Sequence, residues 1–82
     1  MQFNFVFKNG EEVVGDFQFP HDTNPKMPLI NEFVSLVHDG KRVTGYVEKR
    51  AFAFSHFMHE ADVVQTVTFY LRGVYKEPIP SS

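Results

Sequence analysis

Residues 55 to 62, SHFMHEAD, place His56 and His59 three apart with Glu60 beside them. On one helical turn that spacing brings both imidazoles and the carboxylate to a single side, whereas on a strand His56 and His59 face opposite ways. Gathered, they would offer the nitrogen and oxygen donors that zinc accepts, but zinc sites use three or four protein ligands. Only His21 or His38 could supply a distant fourth, and each is followed directly by an aspartate. The stretch therefore reads as a connecting loop with at most one short helical turn near 55–61. Ser55 would be its N-cap and Phe57 or Met58 would cover one end of the fold. No metal and no other cofactor is expected.

The rest of the chain is poor in catalytic residue types. It has no cysteine, no glycine-rich phosphate loop and no glycine-flanked serine nucleophile. Its acids are scattered over turns and outward positions. His21-Asp22 and His38-Asp39 are neighbours in sequence, but adjacent side chains on a strand point apart. Nucleophile, base and orienting group cannot be assembled from these spacings, so the chain is not expected to be an enzyme.

What must position these residues is an all-β domain. Phe3, Phe5 and Phe7 alternate with Gln2, Asn4, Val6 and Lys8, and Val13, Gly15, Phe17 and Phe19 alternate with Val14, Asp16 and Gln18. The period of two marks two strands lining one sheet face with rings. An Asn9-Gly10 two-residue turn would set carboxylates opposite those rings. The expected loop is therefore odd, Lys8 to Gly10, with Gly10 left-handed. Residues 20 to 31, PHDTNPKMPLIN, hold three prolines and no periodicity, and form a stiff connecting loop.

The next hairpin turns at Asp39-Gly40, pairing Leu36 with Val43 and Val34 with Gly45 on one face, and Phe33 with Tyr46 and Val37 with Arg42 on the other. Both faces carry apolar groups. Farther along, Phe52 and Phe54 are one residue out of phase with Val43, Gly45 and Val47. A bulge between Glu48 and Ala51 would restore the phase and turn both rings into the core. A regular strand would instead leave them outside with Tyr46 and Phe33. The last strong pattern, DVVQTVTFYLR, points Val63, Val67, Phe69 and Leu71 inward and Val64, Thr66, Thr68 and Tyr70 outward. Residues 74–77 suggest a short edge segment, and 78–82 a frayed tail.

Together these elements predict one domain over residues 1–82, a small antiparallel barrel of five to six strands. The strand NEFVSL, the turn HDGK, the return strand GYV and the later FAF and VTFYL resemble the small SH3-like barrel proteins of uncharacterised function from bacteria and their mobile elements. That resemblance spans about half the chain, with Asn31 in place of the usual glycine before the glutamate. It implies a fold and no activity.

Composition narrows the partners. An N-terminus without a basic leader, and no apolar run near the roughly 20 residues of a membrane span, lead to the expectation of a cytoplasmic protein with no membrane partner. A net charge of −2 disfavours nonspecific nucleic-acid binding, although Lys41, Arg42, Lys49 and Arg50 cluster around the central hairpin. Ten phenylalanines exceed what one core of 82 residues readily absorbs. The leading expectation is a non-catalytic module that self-associates, as a dimer first, through an outward aromatic face of Phe33, Val37, Tyr46 and Tyr70. The alternatives are a nucleic-acid accessory role for the four basic residues and a small-ligand site at the barrel mouth.

Overall fold

Alternating apolar residues become five strands in the computed structural model, which describes residues 2–20, 25–56 and 63–79. They are β1 (Gln2–Asn9), β2 (Glu12–Phe19), β3 (Phe33–His38), β4 (Lys41–His56) and β5 (Val63–Pro78). They form one curled, half-barrel sheet in the order β2-β1-β5-β4-β3, with no helix among the described residues. The sheet is antiparallel except for β1 beside β5, which is parallel, where an all-antiparallel barrel was expected. In that register Phe5 lies next to Val67 and Phe7 next to Phe69, so the two inward series coincide.

The concave side holds the core. Phe5, Phe7, Val14, Leu36, Val43, Val47, Val67, Phe69 and Leu71 are buried there, with Phe3, Phe17, Phe19 and Val34 packed against them. The Phe69 ring stacks on Phe7 at 4.9 Å and meets Phe5 edge-on at 5.2 Å. Phe5 meets Phe19 edge-on at 5.0 Å. Such pairs add about 0.5–1.5 kcal/mol each beyond the area they bury.

The first hairpin corrects the expected odd loop. Asn9 pairs with Glu12, leaving Gly10 and Glu11 as a two-residue loop with Gly10 at φ 63°. The odd residue is instead absorbed inside β2, where the register shifts between Phe7 and Lys8 and Val14 becomes the extra residue. Val14 turns into the core while Val13 stays exposed, reversing their expected roles. The shift sets Gly15 opposite Phe7, where a Cβ would lie 3.0 Å from Leu36 Cδ1. That approach brings β2 into contact with β3 at this point of the half-barrel.

The second hairpin has the expected register, with Asp39 at φ 55° and Gly40 at φ 72°, the two positive values of a type I′ turn. Beyond it the β4–β5 register shifts twice, first with the extra residue in β5 and then with it in β4. One register shift lies between Thr44 and Tyr46, opposite Gly73 at φ 60°, and a second between Val47 and Lys49. The second is the bulge expected near Glu48, and it reverses parity: Arg50, Phe52 and Phe54 pair with Phe69, Val67 and Gln65 on the concave side. The burial expected of the two rings does not follow, for Phe52 is 49% and Phe54 64% exposed. The short β3 ends its pairing with β4 at Tyr46, so nothing among the described strands folds over them. The radius of gyration, 14.0 Å, exceeds the about 12 Å of a globule this long, as a projecting sheet end requires.

Two further expectations change. Residues 74–78 are no separate edge strand; they continue β5 past Gly73 along β4. Of the tail at 78–82, Pro78 belongs to β5 and the Ile79 N–H donates to the Gly40 carbonyl at 3.1 Å, while residues 80–82 lie outside the described residues. Of the helical turn expected near 55–61, residues 55 and 56 belong to β4, and the remainder lies outside the described residues.

At the opposite end of β4, Lys76 of β5 donates to and pairs with Glu12 of β2. The hydrogen bond and charge of Lys76 hold the Glu12 carboxyl below its ordinary range, with a smaller contribution from Lys41. A lowered carboxyl stabilises the fold above its unfolded-state value, and that contribution is lost as pH falls through the folded-state value. The pair is solvent-exposed, so its share is small. Urea midpoints of the parent and Lys76→Met should differ slightly near neutral pH and converge in acid; an undiminished gap in acid would exclude the pair as its cause.

Candidate interaction face

The convex side of β3, β4 and β5 is where outward parity gathers the polar aromatics. Three adjacent rows cross the strands: Val37, Arg42 and Glu77; Ser35, Thr44 and Tyr75; Phe33, Tyr46 and Arg72. Past the Glu48 bulge the face continues with Lys49 beside Tyr70, which neighbours Lys8 of β1. Phe33, Val37, Tyr46 and Tyr70 are therefore on one face, as their spacing implied. Phe33 is 58%, Val37 54% and Tyr46 41% exposed, while Tyr70 is half-buried.

Sequence reasoning missed Tyr75, which is 64% exposed and lies between the other two rows. The residues after Gly73 read as a detached segment, and only the register of β5 against β4 puts Tyr75 opposite Thr44. All three tyrosines thus share the convex face. Phe33 is the one phenylalanine that joins them among the described residues. It meets Tyr46 edge-on at 5.3 Å, and the Arg72 guanidinium lies over that tyrosine ring, 5.1 Å from its centre. Arg72 also donates to Asn31 Oδ1 at 3.3 Å, and Asn31, at φ 70°, donates its N–H to the Val47 carbonyl at 2.7 Å. The Phe33–Tyr46–Arg72 row is held by its neighbours before any partner arrives.

The four basic candidates are dispersed. Lys41 is at the hairpin end, Arg42 faces Glu77 on the convex side at 4.0 Å, and Lys49 lies 5.4 Å over the Tyr70 ring. Arg50 is on the concave side, 5.8 Å from the centre of the Phe52 ring. From Arg42 to Lys49 the strand runs about 23 Å at about 3.3 Å per residue. Lys49 and Arg50 are consecutive residues of a regular stretch of β4, so they point to opposite faces.

The concave side offers a cleft of about 640 Å³ between β1–β2 and β3, lined by Phe5, Phe7, Phe17 and Phe19 opposite Val34 and Leu36. Pro25, Lys26 and Pro28 of the proline-containing loop border it. No three histidine, cysteine, aspartate or glutamate side chains gather to hold a metal among the described residues, and His59 and Glu60 lie outside them. No helix among the described residues is long and apolar enough to cross a membrane. Compared with known proteins, the chain matches no family model, no curated protein and no solved structure.

Proposed function

We propose that the protein is a non-catalytic interaction module whose convex β3–β4–β5 face binds a second copy of itself, with Phe33, Tyr46 and Tyr75 as the anchors and Val37 and Tyr70 at the margin. The observation that supports this most is the run of three exposed aromatic residues on adjacent strands, with Val37 beside them. Aromatic residues and arginine are enriched in the centres of interfaces, where lysine and acids are depleted. Here Arg72 is already stacked and the Arg42–Glu77 pair already matched, so little unpaired charge would be desolvated on contact. The same engagement leaves Arg42 and Lys49 less free to meet phosphates.

Sedimentation equilibrium tests the proposal. The parent chain should self-associate in the micromolar range, and the double variant Phe33→Ala, Tyr46→Ala should weaken it by about 2 kcal/mol or more, the loss typical of a central anchor. A parent that stays monomeric at high micromolar concentration would refute the module as drawn.

A further inference from the structure

The β4 strand has a second feature that the convex face does not use. Its pairing with β3 ends at Tyr46, and the 31–32 segment covers it through Val47, which donates its N–H to the Glu32 carbonyl at 3.0 Å. From Lys49 to His56 it pairs only with β5, so its other edge carries backbone N–H and carbonyl groups with no strand beside them among the described residues. The edge is regular, since both register shifts of β4 precede it. Natural edges are blunted by short length, bulges, prolines or charges spread along them. This one runs KRAFAFSH, with its charges confined to Lys49 and Arg50 at one end.

We infer that the β4 edge, residues 49–56, is a strand-pairing surface for a second copy of this chain, joined antiparallel about a two-fold axis through Ala53. This goes beyond the convex-face reading and stands independently of it.

The side-chain pattern selects both the occupant and the direction. With Ala53 opposite itself, Phe52 faces Phe54 of the second copy and Phe54 faces its Phe52, so two exposed pairs of rings meet on the concave side. Directly opposed side chains have Cβ atoms about 4.5–5.5 Å apart, close enough for aromatic contact. On the convex side the same register sets Ala51 opposite Ser55, and these small residues let the strands lie flush. Charge decides against the parallel arrangement, which would align Lys49 with Lys49 and Arg50 with Arg50. In the antiparallel one, the two Arg50 positions lie about 20 Å apart at about 3.3 Å per residue. That is well beyond the screening length of about 8 Å at physiological salt.

The pairing makes one continuous sheet from two half-barrels, and it covers the rings that the monomer leaves open. The chain contains no cysteine, so a single introduced thiol carries a spin label at a chosen position. Nitroxides at Ala53→Cys should show strong dipolar broadening, whereas those at Lys49→Cys should report a separation of about 26 Å, eight residues at about 3.3 Å. Phe54→Lys, on an exposed position that leaves the core intact, should abolish the broadening and raise the dissociation constant of this contact at least about thirty-fold. The Phe33→Ala, Tyr46→Ala variant should keep the broadening at position 53, which separates this contact from the convex face. Broadening at both labels would mean parallel pairing, and its absence at 53 would mean no pairing; either result overturns the inference.

Discussion

Replacing Phe69 with alanine should cost the protein about 3–5 kcal/mol, the usual loss for a fully buried phenylalanine. An 82-residue domain has only about 4–12 kcal/mol in all, at about 0.05–0.15 kcal/mol per residue. The variant should therefore lose at least about a quarter of the total stability, and all of it if the parent stands at the lower end of that range. The reason lies in its position: Phe69 is fully buried in the central strand, and its ring contacts both Phe5 and Phe7 of β1. Neither neighbouring ring is free to close that gap, because Phe5 and Phe7 already make edge-on contacts with Phe19 and Phe17. Phe54 shares the concave side but is 64% exposed, so Phe54→Ala should stay within about 0.5 kcal/mol of the parent. Urea denaturation followed by far-ultraviolet circular dichroism, at concentrations low enough to hold the chain monomeric, checks both. Equal losses at the two positions would show that the half-barrel does not pack as described.

The second large effect is expected at Gly45. This residue sits at the first β4–β5 register shift, and a Cβ there would lie 3.2 Å from the Arg72 carbonyl oxygen and 3.4 Å from both Leu71 Cβ and Val74 Cγ2. The nearest obstacle is backbone, and it adjoins Gly73 at φ 60°, so it cannot rotate aside like a side chain. Gly45→Val should cost about 1–3 kcal/mol through overpacking. Because the same crossing aligns Tyr46 with Arg72, the substitution should also loosen the Phe33–Tyr46–Arg72 row and weaken self-association beyond what lost stability alone produces. Thermal unfolding together with sedimentation of the folded fraction would separate the two effects. If stability is unchanged, the β4–β5 crossing has room for a side chain at Gly45.

Much of this was legible in the residues themselves, and the parts that were not share a cause. The Asp39-Gly40 hairpin was readable to the last pair, because two adjacent turn residues that accept positive φ leave one register that keeps Val34, Leu36 and Val43 together. The bulge near Glu48 was readable from a clash of phases within β4. The first hairpin was misassigned because an odd residue can sit in the loop or in the strand, and local pattern does not distinguish the two. Space does: Gly15 is needed opposite Phe7, where β2 meets Leu36. Three of the four convex-face residues were identified together through one hairpin, whereas Tyr75 depended on a pairing between segments about thirty residues apart.

The sequence by itself determined the all-β class, the strands, the inward rings and the outward aromatic positions, since side-chain alternation and turn chemistry act over a few residues. Only the tertiary structure decided that β5 lies parallel to β1, that a short β3 leaves one end of the concave side uncovered by the described strands, and that Tyr75 joins the convex face. Those outcomes follow from which edges meet and how far each strand reaches. Phe52 and Phe54 show the difference most directly: their side of the sheet was set by parity within one strand, but their exposure was set by the length of another.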